Sequence, residues 1–524
     1  MPALLLSLLV ASLFVRSPAP APRPSLVVLV VIDQFPGSYF DRFGPQFTGG
    51  LARIRKNSAL FVNGMQDHAM TETAPGHSTM LSGRDPAHTG IISNSKGVSD
   101  PTAPVIGSRS APGASPRRFQ GTTLYDWLVM ADSGSRVLSV SRKDRGAILP
   151  VGRATGDIYW YADSLFTTSS YYATSLPAWV TEYNNRRGPQ KLAGTVWNLL
   201  LPESAYPERD TVDVENNGAD FTFPHRMSSN PDTAAIRLLN YPWMDSLTID
   251  FALTGLRTLA LGTGTHTDLL VISLSTTDGI GHAYGPDSRE LHDQVLRVDR
   301  WLGGFFDALY AQVPAERVVV AFTSDHGVQS LPEYTAATLH KPAGRVWFGD
   351  EARGAASDFT DRFHTDFGFD FETGLLGADV ALLRSHGVNV DSLAAAMAAD
   401  VRDRRGVARV YTPRTLAAAP ATDTAAMRWR KTIPAGFGWL IAGALKPGFV
   451  WASGTGAQHG TTNPTDVGVP VAFMGPGIRA GVFQRAVRTV DIAPTLAAYL
   501  GVRPSEKLDG VVLPEIVGAP KVKH

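Results

Sequence analysis

Cysteine is absent from all 524 residues. That excludes disulfides, cysteinyl zinc sites, a thiol nucleophile and a lipid-modified N-terminal cysteine. A surplus of positive charge is missing as well, because Lys+Arg and Asp+Glu both number 48 and the formal net charge is +0. Polyphosphates, acidic membrane surfaces and nucleic-acid polymers are met by basic proteins, so no nucleic-acid polymer is expected as a partner. Long apolar runs are scarce. The run from Ala3 to Val15, "ALLLSLLVASLFV", falls short of the ~20 residues a membrane span needs. With Arg16 and "SPAPAPRP" behind it, it reads as a secretory signal peptide over residues 1–21, although the usual positive residue ahead of it is lacking. An exported chain without cysteine suits a bacterial periplasm or secretion. After removal of that segment, no stable membrane association is expected, and the chain should act as a monomer.

With 44% hydrophobic residues, the remainder can bury a large core. "SLVVLVVID" (Ser25 to Asp33) is a continuous β-branched run, as in a strand covered on both faces. "RVLSVS" (Arg136 to Ser141), "DLLVISLS" (Asp268 to Ser275), "RVVVAFTS" (Arg317 to Ser324) and "VPVAFMG" (Val469 to Gly475) are similar. Between the third and fourth, Leu291, Val295, Val298, Leu302, Phe305 and Leu309 recur at helical spacing. Strand, amphipathic helix and strand predict a right-handed crossover in an α/β fold with a largely parallel sheet. One domain over residues 22–517 is expected, with insertions at about 157–243 and 349–432. The first is rich in Tyr, Trp, Asn and Pro with little periodicity, as in a lid or binding wall. The second contains a helix over 392–402.

Acids and histidines gather where these strands end. Asp33 closes the first strand; Asp278 and His282 follow the third in "STTDGIGH"; Asp325 and His326 follow the fourth in "TSDHG". His459 lies in the Gly-rich "GTGAQHGTTNP". In open α/β sheets, ligands bind beyond the carboxyl ends of the strands. Any one of these residues alone could be a helix cap or a turn residue. Together, three Asp and three His form a donor set suited to two zinc-like divalent ions. The other histidines lack acidic neighbours in comparable settings, and His77 is expected to brace its loop.

"TETAPGHSTMLSG" (Thr71 to Gly83) opens a helix with Pro75 in its first turn, placing Thr73 at or just before the N-cap. Free amides and the helix dipole favour an anion there. A threonine hydroxyl becomes a competent nucleophile when a metal activates it. "SVSRKDRGAIL" places Lys143 and Arg145 two positions apart, so an extended backbone would point both cations one way, towards a phosphate dianion. Asn94 in "GIISNSKG" could donate to another phosphoryl oxygen.

With these residues in place, the chain resembles the alkaline phosphatase superfamily. It is most similar to the type I phosphodiesterase/nucleotide pyrophosphatase-related branch, and within that to bacterial alkaline phosphatases that use threonine. The resemblance runs in order through "VVIDQF", "TAPGHSTMLSG", "KDRGAIL", "STTDGIGHAYGP", "SDHG", "QHGTTNP" and "VDIAPTLAAYLGV". It implies a three-layer α/β sandwich with lid-like insertions. It implies one zinc held by Asp278, His282 and His459, and a second by Asp33, Asp325 and His326 beside Thr73. Thr73 would form a phosphothreonine, with Asn94, Lys143 and Arg145 on the non-bridging oxygens. Magnesium-dependent relatives use Ser and a third ion; here Lys143 would fill that region, so no catalytic Mg²⁺ is expected. The C/S-x-P-x-R motif of sulfatases is not met by Thr73-Ala74-Pro75-Gly76-His77.

The Lys143/Arg145 pair favours a dianion, and related diesterases lack it. The expected activity is therefore broad hydrolysis of small phosphate monoesters, with weaker diesterase activity. A nucleotide pyrophosphatase/phosphodiesterase whose aromatic insertion stacks a base is the alternative, and a non-catalytic zinc-binding module a distant one.

Overall fold

The computed structural model describes residues 23–517; the leader expected over 1–21 lies outside them. The apolar runs assemble a ten-stranded sheet. Its strands are β1 (Leu26–Ile32), β2 (Ala59–Met65), β3 (Val137–Ser141), β4 (Asp157–Ala162), β5 (Leu165–Thr167), β6 (Asp268–Leu274), β7 (Val318–Thr323), β8 (Gly468–Met474), β9 (Gly481–Phe483) and β10 (Val487–Arg488). The spatial order is β9-β2-β8-β7-β1-β6-β3-β4-β5, with β10 also on β2. The run from β7 through β1, β6 and β3 to β4 is parallel. β8 is antiparallel to both of its neighbours and β5 to β4, so the sheet is mixed but mostly parallel.

β1 is buried along its whole length because each face meets a different core. Leu26, Val28, Val30 and Ile32 join one cluster, while Val27, Leu29 and Val31 join the other. Period-two alternation splits the strand's side chains between two layers of helix. The first layer contains α4 (Arg289–Gln312), whose Leu291, Val295, Val298, Leu302, Phe305 and Leu309 are all buried. The second contains α1 (Thr73–Met80), through Ala74 and Met80. This is the expected three-layer α/β arrangement.

The two excursions are more regular than their composition suggested. Residues 157–167 form β4 and β5 at the sheet's edge. "DIYWYA" alternates faces: Tyr159 and Tyr161 enter one core, Ile158 and Trp160 the other. The later excursion builds a four-stranded sheet from Asp370–Glu372, Leu375–Gly377, Val407–Tyr411 and Trp439–Leu445, and so draws a strand from beyond residue 432. The helix Val390–Arg402 packs there in a separate core. No described helix is long and apolar enough to cross a membrane.

Candidate active site

The parallel strands deliver their acids to one end of the sheet. Asp33 follows β1 directly; Asp278 and His282 lie on α3 (Thr276–Tyr284), one residue after β6; Asp325 and His326 follow β7. Lys143 follows β3 as the N-cap of α2 (Asp144–Ile148). Its ammonium lies 2.6 Å from Asp33 Oδ2, 2.7 Å from Asp278 Oδ2 and 3.1 Å from Thr73 Oγ1. Three Asp and three His spread over more than four hundred residues therefore meet beside the Thr73 hydroxyl.

The histidines are oriented as ligands. Each Nδ1 faces a carbonyl: His282 with Ala457 O at 2.6 Å, His326 with Gly327 O at 2.9 Å, His459 with Thr71 O at 2.7 Å. Donation from Nδ1–H leaves the Nε2 lone pair exposed, the arrangement typical of metal-bound imidazole. The Nε2 atoms of His282 and His459 then approach to 3.2 Å. Two lone pairs at that distance repel unless a cation lies between them. His326 Nε2 and Asp33 Oδ1 are buried without a hydrogen-bond partner and 3.4 Å apart. Asp33, Asp278 and Asp325 outnumber the Lys143 ammonium and the Arg142 guanidinium that face them. Unsatisfied donors and missing positive charge both fit divalent cations. Two groups have converging donor atoms: Asp278, His282 and His459, and Asp33, Asp278 and His326. The second differs from expectation, because Asp278 stands between the groups. Asp325 Oδ2 is 3.7 Å from His326 Nε2, while its Oδ1 accepts the Gln34 N–H at 3.1 Å.

Burial and mutual charge shift these groups in both directions, and Asp278 raises His282 against the effect of its burial. Burial, then Asp278 and Asp325, push the Asp33 carboxyl up to about 6. Burial also opposes ionisation of Asp278, but Lys143 and His282 overcome it and hold that carboxyl well below its ordinary range. Burial, reinforced by His326 and His282, keeps His459 neutral, as a metal ligand must be.

Thr73 is the first helical residue of α1, and Glu72, not Thr73, is the N-cap. Gly76 lets α1 sit against β7's end, since a Cβ there would overlap the Asp325 carbonyl oxygen. His77 braces this packing, with Nδ1 2.9 Å from Thr73 O and Nε2 2.8 Å from Ser273 Oγ. Asn94 Oδ1 accepts the Ala74 N–H at 2.9 Å, which turns its NH₂ away from the helix as a free donor. The extended backbone expected at Lys143–Arg145 is not found. The chain turns helical at Asp144 because Ser141 Oγ accepts the Lys143 N–H at 3.1 Å. Arg145 lies in the first turn of α2, with Nη1 3.5 Å from Asp144 Oδ1 and a buried, unpartnered Nε.

Several residues of the site went unread in the sequence. Glu72 is buried; its Oε2 accepts the Asn94 N–H at 2.7 Å and its Oε1 accepts the Thr373 hydroxyl. Thr373 belongs to the small sheet's first hairpin, where Glu372 accepts the Ser93 hydroxyl at 2.7 Å. Gln34, at φ 59°, donates from Nε2 to Asp278 Oδ1 at 3.0 Å. Arg142 reaches Asp278 at 4.0 Å. An acid directly before Thr73, in "TETAP", was the available signal for Glu72. The histidines set aside as ordinary include exceptions: His225 is buried 2.9 Å from Glu290, and His292 lies 2.9 Å from Glu208.

The model of the type I phosphodiesterase/nucleotide pyrophosphatase family matches residues 27–367. The chain belongs to that family. Within it, alkaline phosphatase PhoV of Synechococcus elongatus is 30% identical over 95% of this chain and 94% of its own. Alkaline phosphatase PafA of Elizabethkingia meningoseptica is 30% identical over 95% of each. The PafA crystal structure superposes with a TM-score of 0.86 over 95% of this chain and all of its own, at 28% identity. A solved PafA variant carries changes at a threonine, an asparagine, a lysine and an arginine. This chain also has a Lys-x-Arg pair, Lys143 and Arg145.

Proposed function

We propose that the chain is a zinc-dependent alkaline phosphatase that hydrolyses small phosphate monoesters through a phosphothreonine at Thr73. Three near-full-length relatives, PhoV, PafA and PhoK, are named alkaline phosphatases. The observation that carries the rest is the Lys143 ammonium, in contact at once with Thr73 Oγ1, Asp33 and Asp278. A cation donating to Oγ1 stabilises the alkoxide, and thereby makes a poor nucleophile a usable one. Asp278, His282 and His459 would hold one zinc, and Asp33, His326 and Asp325 the other. When bound, zinc polarises phosphoryl oxygen and offsets charge on the attacking and leaving oxygens.

The chain's own groups account for the rest. Thr73 Oγ bonds to phosphorus as the ester P–O bond breaks and the alcohol departs. Water then attacks phosphorus, releasing phosphate and restoring Thr73. The free Asn94 NH₂ and the unpartnered Arg145 Nε supply donors for non-bridging oxygens, as a dianion requires. No catalytic magnesium enters the proposal; Lys143 supplies a fixed positive charge at the site in place of a third ion.

The test is kcat/KM for p-nitrophenyl phosphate against bis-p-nitrophenyl phosphate, with Thr73→Ala as control. The monoester should be the faster substrate and the variant should release no phosphate. Faster diester turnover would reject the monoesterase reading, and an active Thr73→Ala enzyme would reject the nucleophile.

A further inference from the structure

The metal-ligand cluster is closed on one side and open on the other. Asp33 and His326 have fully buried side chains, whereas the His282 side chain is 33% exposed. On that open side lies a cavity of ≈ 610 Å³, lined on the α3 side by Gly279, His282 and Ala283. Thr73 is not part of its wall. In an in-line displacement, the leaving oxygen departs opposite the nucleophile, so the departing alcohol is directed towards His282 and into this space.

We propose that this cavity is a leaving-group subsite that takes a neutral polyhydroxylated alcohol, making sugar or polyol monophosphates preferred substrates. The proposal rests on the phosphomonoesterase reading and deepens it.

The facing wall supplies Arg237, Asn240, Tyr241, Asp220, Asn217 and Gln458. Arg237 has no ion-pair partner among the described residues. Tyr241 donates its hydroxyl to Arg226 O at 3.0 Å, which anchors the ring against the cavity. Asn217 and Asp220 sit at φ 59° and 50°, a left-handed conformation that Asn and Asp tolerate better than most residues.

The chemistry of the wall selects among alcohols. An apolar leaving group would strip water from amides and a guanidinium without replacing its hydrogen bonds. A second anionic group would meet Asp220. Asp220 Oδ1 already lies 3.2 Å from His225 Nδ1, and the Asn217 side-chain carbonyl accepts the Thr455 hydroxyl. A polyol can therefore donate to Asp220 Oδ2 and the Asn240 and Gln458 carbonyls, and accept from Arg237 and the Asn240 NH₂. The Tyr241 ring can cover its C–H face. Such a site discriminates strongly against analogues lacking the hydroxyls, since its polar groups are then left unpaired.

The test uses zinc-loaded protein with glucose 6-phosphate and ethyl phosphate, both esters of simple alcohols. Wild type should favour glucose 6-phosphate by about tenfold in kcat/KM, roughly the worth of one or two hydrogen bonds. The variant R237A/N240A should bring that ratio to within about twofold of unity. Zinc content and thermal midpoint, read in parallel, establish that the variant is folded. A wild-type ratio near one, or a ratio that the folded variant leaves unchanged, overturns the subsite. A larger advantage for adenosine 5′-monophosphate than for glucose 6-phosphate overturns it too, in favour of a nucleoside pocket. Failure of the underlying reading would look different: wild type would release phosphate from none of these substrates.

Discussion

Replacing Lys143 with Met tests how charge is balanced at the site. The substitution keeps an apolar stem and deletes an ammonium that is only 9% exposed and lies within 2.7 Å of two carboxylates. In metal-stripped protein that ammonium directly contacts both Asp33 and Asp278. Removing one partner of a buried ion pair costs about 3–5 kcal/mol, because the remaining charge is left uncompensated. Two charge-assisted hydrogen bonds at about 1.5–3 kcal/mol each give a similar sum. With divalent ions bound, the carboxylates are already neutralised, and the expected cost falls to about 1 kcal/mol. At about 2.1 cal/mol/K of unfolding entropy per residue, a chain of this length loses roughly 1 °C per kcal/mol. The Lys143→Met midpoint should therefore fall by roughly 3–5 °C without zinc and about 1 °C with it. Linkage then requires the variant to bind zinc more tightly, by about 30-fold for 2 kcal/mol, even as its turnover drops. Calorimetric melts of wild type and variant, each stripped and zinc-loaded, supply the four midpoints. Equal losses in both states, or weaker zinc binding by the variant, would refute the reasoning.

Glu72→Ala should lower monoester kcat/KM by about 10–100-fold, mainly by raising KM, because the Asn94 backbone loses its anchor. Glu72→Gln retains an oxygen acceptor for that N–H and should recover most of the loss; steady-state kinetics showing the two variants equally impaired would count against a positioning role. Glu215 is 3% exposed, and burial followed by Glu290, Asp210 and Asp287 pushes its carboxyl up to about 9. Between pH 4.5 and 9 the folded state keeps a proton that the unfolded state has lost, so stability is highest at the acid end and falls as pH rises. The slope from this group is about 1.4 kcal/mol per pH unit. Glu215→Gln should remove it, so that the variant's advantage in thermal midpoint widens from pH 5 to pH 9; parallel curves would disprove the shift.

The strand framework was legible because continuous apolar runs such as "SLVVLVVI" have few fates other than a strand covered on both faces. Acids placed directly after those runs, Asp33 and Asp325 among them, inherit the sheet's geometry, so their convergence could be reasoned from order alone. Features set by tertiary approach escaped. Glu72 meets Thr373 across the gap between α1 and the small sheet, and nothing local to either residue announces it. His225 pairs with Glu290, on α4, as well as with the nearby Asp220, and the first of these contacts has no local signal. Lys143 and Arg145 were assigned a common face from a strand-like backbone, but the Ser141 hydroxyl nucleates a helix one residue too early for that. The strand at Asp157–Ala162 was hidden by its aromatic richness, although its alternation was present in "DIYWYA".

The placement of β1 also governs how the chain reaches this state. Leu26 aligns with Asp268 on one side and Val318 on the other, so the first of the described strands to leave the ribosome waits through nearly half of synthesis before either neighbour exists. Such distant pairings make acquisition of structure slow. Until they form, a seven-residue apolar strand has both edges open to foreign partners. Yield of this protein should therefore depend on chaperone supply and growth temperature well before it depends on the stability of the finished molecule.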